Sequence, residues 1–110
     1  MTIETFLDLV DGLAPSGVDV SLKLRWLGEI EGRVRVELLG QSPDTLPRFT
    51  PEIPRSTELC VPPPYDRLYW MYYMAMLDYL SGNAVRYENA AALFNEAYAG
   101  YGRYLKRQGV

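Results

Sequence analysis

The stretch "YDRLYWMYYMAMLDYL" (residues 65–80) decides how this chain folds. It holds five tyrosines, one tryptophan and three methionines in 16 residues, about four and a half helical turns. Such a segment serves as a membrane span, a ligand pocket, a protein core, or a surface that another protein covers. As a helix it is roughly 24 Å long, short of the ~30 Å hydrocarbon core, and it carries Asp66, Arg67 and Asp78. Tyrosine also belongs at the bilayer interface, not its centre, so no membrane partner is expected. A cofactor reading lacks a phosphate cradle, because "GEIEG" (28–32) has neither the glycine pattern nor the lysine of a P-loop. Gly28 and Gly32 are read instead as points where two helices approach closely, and no cofactor is expected.

Core and interface remain. Leu68, Tyr72, Ala75, Met76 and Tyr79 form one helical stripe, and Tyr65, Tyr69, Tyr73, Leu77 and Leu80 another, with Trp70, Met71 and Met74 filling most of the rest. A helix apolar nearly all round is buried nearly all round. In so small a domain the neighbouring helices cover only part of it. Tyr, Trp and Met are enriched where proteins meet, so the remainder is expected to face another protein. A core helix whose tyrosine hydroxyls stay at the surface accounts for the same pattern.

Working outward, Pro64 suits the first helical position, Asp66 suits the positive helix N-terminus, and Gly82 closes the helix. Asn83 caps a further helix running to about residue 107. Its Tyr87, Ala91, Phe94, Tyr98, Tyr101 and Leu105 recur by fours and threes. The two-residue link makes the pair an antiparallel hairpin. Upstream, Thr2 caps a helix over 3–13, which Gly12 and "APSG" (14–17) end. A second helix starts near residue 20 with Asp19 or Ser21 as its cap. Trp26, Leu27, Ile30 and Val34 line one face, with Lys23, Arg25, Glu29 and Glu31 outward. "RVRVELL" (33–39) alternates with period two, so it reads either as the last helical turns, the preferred reading, or as a short strand.

Residues 40–64 contain seven of the eight prolines. Lacking amide donors, they exclude helix and central strand. The stretch reads as a long extended arm, about 40–63. Its Leu46, Phe49, Ile53, Leu59 and Val61 suggest packing along something rather than a loose linker. The expected fold is therefore all-α: one domain over 1–110, a small bundle of about four helices with a C-terminal antiparallel hairpin and a Pro-rich arm.

The composition bounds the chemistry. A net charge of −3 with scattered bases argues against sequence-specific nucleic-acid binding, which needs clustered Lys and Arg. With no histidine, the usual general base and metal ligand are missing. Cys60 is the single cysteine and fits a reducing compartment. No basic leader opens the chain, so no targeting peptide is expected. The serines have no histidine to activate them. Metal ligation would have to be all-carboxylate, with no clustered motif. The chain is not expected to be an enzyme.

Three groups of residues carry a family resemblance: Trp26, Leu27, Glu29 and Gly32; Pro62, Pro64, Tyr65, Asp66 and Tyr69; and Tyr87, Asn89, Phe94, Asn95 and Tyr98. Over nearly its whole length the chain resembles small structural proteins from phages and prophages of Gram-positive bacteria, of the head–tail connector (adaptor) type. It departs from that pattern at Ala84, where an acidic residue is usual, and in a short middle segment. The resemblance implies a helical subunit that forms a ring, joins portal and head to tail, lets DNA pass through its channel, and resides in the virion and, during assembly, in the host cytoplasm. Phe49, Ile53, Tyr65, Tyr69, Trp70 and Tyr73 are the expected subunit contacts. The alternative is a soluble assembly chaperone or protein-binding adaptor acting as a monomer or dimer.

Overall fold

A computed structural model describes residues 1–109. Four helices account for the architecture: α1 (Ile3–Leu13), α2 (Val20–Arg33), α3 (Arg67–Ser81) and α4 (Ala84–Arg107). The ends follow local chemistry. Thr2 Oγ1 accepts the Thr5 amide at 3.1 Å, and Asn83 Oδ1 accepts the Arg86 amide at 3.0 Å, each satisfying a donor that the first helical turn leaves free. Gly82 ends α3 at φ 76°, a left-handed conformation that glycine adopts without a Cβ penalty. Pro64 does not open α3. It lies in a turn closed by the Tyr65 amide on Pro62 O, its bond to Pro63 is cis, and Asp66 takes the N-cap position.

The alternating stretch after α2 is helical. Val34–Leu38 continues the helix as a π-turn, with the Leu39 amide reaching Val34 O at 3.1 Å. No strand is present among the described residues, and the single extended pairing is an isolated bridge between Thr2 and Glu58.

α3 is the centre of the molecule. α4 runs antiparallel along it through an aromatic ladder of Tyr79–Tyr87 at 5.6 Å, Tyr72–Phe94 at 5.2 Å and Tyr65–Tyr101 at 5.4 Å between ring centroids. α2 also runs antiparallel to α3: Trp26 meets Tyr73, Glu29 meets Tyr72, and Glu31 meets Tyr69. α1 closes the other side with Phe6 edge-on to Tyr73 at 6.1 Å. Ile3, Phe6, Val10, Leu24, Leu27, Ile30, Val34, Leu68, Tyr69 and Tyr73 are all essentially inaccessible. Each large apolar side chain buried this way contributes about 1.5–3 kcal/mol.

The proline-rich arm packs on its own chain. Leu59 and Val61 are buried, and Leu46, Phe49 and Ile53 are half-buried against the core. Its far end is tied to the N-terminus: Ile3 N–H to Thr57 O at 3.0 Å, Glu4 N–H to Arg55 O at 2.9 Å, and Leu59 N–H to Met1 O at 2.9 Å. Gly28 and Gly32 admit this arm, not a second helix. A Cβ at 28 would lie 2.9 Å from Phe49 Cβ, and one at 32 would lie 3.3 Å from Leu46 Cδ1.

Candidate functional site

Glu31, expected to face outward, is the buried polar centre, with 1% of its surface exposed. Its carboxylate accepts the Tyr69 hydroxyl at 2.6 Å, the Cys60 amide at 2.9 Å, the Cys60 thiol at 3.2 Å and Arg35 Nη2 at 3.1 Å. The Tyr69 oxygen in turn accepts the Val61 amide at 3.0 Å. One carboxylate thus joins α2, the end of the arm and α3. Desolvation makes a buried carboxylate costly, and these charge-assisted hydrogen bonds offset that cost.

The thiol and the phenol of this cluster hold their protons. Burial, followed by the charge of Glu31, pushes the Cys60 thiol up to about 12 and raises the Tyr69 hydroxyl further still. An activated nucleophile requires the opposite, a thiol lowered by a positive neighbour. Among the described residues no group of three or more acidic or cysteine side chains is gathered as a metal site. Among the described residues no helix is long and apolar enough to cross a membrane.

Two more tyrosine–glutamate pairs stitch α2 to the hairpin. The Tyr72 hydroxyl donates to Glu29 Oε2 at 3.0 Å, and Tyr98 donates to Glu37. Burial first, then the glutamate bond, raises both hydroxyls to about 12. Arg33 pairs with Glu37 at 2.9 Å and lies 4.4 Å from the Tyr98 ring centroid, a cation–π contact. The Tyr98 bond and then Arg33 lower the Glu37 carboxyl.

The six residues expected at a subunit contact do not form one surface. Tyr69 and Tyr73 are interior. The first is spent on Glu31, and the second is held by Ser16 Oγ at 3.1 Å between Phe6 and Trp26. Neither offers area to a partner in this fold, because the N-terminal half of the chain supplies the covering for that face of α3. Tyr65 is half-buried, 4.9 Å from the Tyr104 ring centroid. Trp70, Phe49 and Ile53 are likewise half-buried against the core.

The apolar surface lies elsewhere. Every residue from Tyr79 to Asn89 is exposed, although all but the turn at 82–83 are helical. The tip of the α3–α4 hairpin therefore stands clear of the other helices. Tyr79 is 67% exposed, Leu80 59% and Val85 69%, and Leu93 one turn beyond the tip is 62% exposed. A shallow cleft of about 270 Å³ lies between Tyr79, Gly82, Ala84 and Tyr87. Its turn is braced by Asp78, nearly buried and 3.4 Å from Arg86. Sequence held a signal for this surface, since Val85 and Leu93 fall off the stripe that Tyr87, Phe94, Tyr98 and Tyr101 define. Scattered exposed apolar residues are ordinary, whereas several gathered at one projecting end are not.

No protein-family model, curated protein or solved structure matches this chain.

Proposed function

We propose that this chain is a non-enzymatic phage or prophage structural protein, a head–tail connector (adaptor) subunit that self-associates and joins portal and head to tail. The observation that carries this reading is the projecting hairpin tip, an apolar end on an otherwise closed core. The sequence resemblance agrees with it in motif and in helical architecture. A ring needs two different side surfaces on each subunit, because only heterologous contacts close by rotation. The apolar tip serves as one of them. Tyrosine adds a wet hydroxyl to an apolar ring, which suits a surface that is exposed before assembly and covered after it.

The test is native mass by analytical ultracentrifugation and light scattering over a wide concentration range. A single large discrete oligomer is the expected result. A strict monomer at every concentration would overturn self-association and leave the monomeric adaptor as the better reading.

A further inference from the structure

Residues 42–54 of the arm are held unlike the rest of the molecule. The segment is anchored at one end by the Gln41 amide on Arg35 O at 2.9 Å, and at the other by the bonds of Arg55, Thr57 and Leu59 to the N-terminus. Between these anchors, every hydrogen bond stays within the arm: Thr45 to Ser42, Leu46 to Pro43, Ile53 to Thr50, Thr57 to Pro54 and Arg55 to Ile53. Among the described residues none of Asp44, Arg48 or Glu52 is ion-paired. Prolines 43, 47, 51 and 54 leave few donors to bind elsewhere. Side-chain shape alone seats the segment, with Phe49 over Gly28 and Leu46 over Gly32.

We propose that this segment is exchanged between copies, so that Phe49 of one chain sits over Gly28 of its neighbour. The inference rests on the self-association reading above. An identical neighbour offers an identical α2 face, so the packing that one chain gives up is restored on the next, as in domain swapping. Leaving its own α2 costs the segment no hydrogen bond to the helices. Thirteen extended residues span about 43 Å. A loop anchored at both ends therefore reaches at most roughly 20 Å from its root, on the scale of the 23 Å short dimension of the molecule. That reach brings Phe49 to the near face of a copy packed beside the arm.

Two variants separate the partners of the contact. Phe49→Ala removes the knob and keeps the notch, while Gly28→Leu fills the notch and keeps the knob. Each alone is expected to lose the oligomer peak while retaining helical circular dichroism. Their equimolar mixture is expected to regain oligomers containing both chains, because the Gly28→Leu arm finds the intact notch of the Phe49→Ala copy. If Gly28→Leu does not fold, Gly28→Ala replaces it, since even one methyl group meets Phe49 at 2.9 Å. A mixture that stays monomeric places the arm on its own chain only and overturns the exchange. Assembly of either variant alone, when wild type also assembles, overturns it while leaving the ring standing. A monomeric wild type removes both.

Discussion

At the scale of single residues, Glu31 organises more of this protein than any aromatic side chain does. Leu24, Leu27 and Val34 recur by threes and sevens, and position 31 falls within the stripe they define. That spacing marks the site as buried even though its chemistry suggests solvent, and Arg35 one turn later is the companion sign. Sequence does not disclose the donors, because Cys60 and Tyr69 reach Glu31 only once the arm has crossed α2. Glu31→Ala orphans the Tyr69 hydroxyl and the Cys60 amide together and is expected to cost roughly 3 kcal/mol, read from urea denaturation. The thiol gives a second check. Raised to about 12 from an ordinary 9.0, it leaves roughly a thousandth as much thiolate at pH 8 as the unfolded chain has. The stronger nucleophilicity of a more basic thiolate offsets part of this, so labelling by a disulfide reagent should be on the order of a hundredfold slower in the folded protein than in urea. The unfolded thiol ionises first, so the stability it contributes is intact below about pH 9 and is lost as pH rises toward 12. Tyr72 and Tyr98 act in the same direction from pH 10 upward. The urea midpoint should fall across this alkaline range.

At the scale of elements, caps and periodicity are sufficient where structure is local. Thr2, Asn83 and Gly82 each mark a helix end for a reason contained within four residues; α1 and α4 start and stop where their caps and stripes place them, and α2 starts after Asp19. Gly82→Ala meets no atom within 4 Å. Its cost is therefore purely conformational, about 1 kcal/mol, measurable as a shift in the thermal midpoint. The glycines of α2 mislead because a gap in a helix surface does not say what fills it. A proline-rich strap and a second helix leave the same trace in sequence, and only the tertiary path of residues 42–54 distinguishes them. The "RVRVELL" stretch is ambiguous for a related reason. Its period of two suits a strand, while a π-turn continuing α2 places Val34 inside and turns Glu37 toward Tyr98.

At the scale of the whole molecule, the hydrophobic face of α3 is legible in sequence but its division is not. Periodicity shows that all sides of the helix are apolar. It does not show that α1 and α2 cover Tyr69 and Tyr73 completely while Tyr79 and Leu80 run past them into solvent. The candidate contact surface therefore lies about two turns beyond the middle of the aromatic stretch. The double change Leu80→Glu with Val85→Glu removes nothing buried, so folding stability should stay within about 0.5 kcal/mol for each site. Self-association should be lost, with sedimentation and a thermal melt on the same sample reporting both.

The strap also determines how the chain behaves when it is cut. Arg48 is exposed, in a segment without hydrogen bonds to the helices, so brief trypsin treatment should nick the protein there first. The two pieces are then one helical pair carrying α1 and α2, and another carrying α3 and α4, each made of elements adjacent in the chain. They adhere through the shared core, where Phe6 and Trp26 meet Tyr73, and through Glu29, Glu31 and Glu37 meeting Tyr72, Tyr69 and Tyr98, none of which the cut touches. The nicked protein should migrate as one species in native gels and as two under denaturing conditions. Separately expressed halves should find each other, making this small chain a bipartite tag whose reunion is scored by the burial of Trp26.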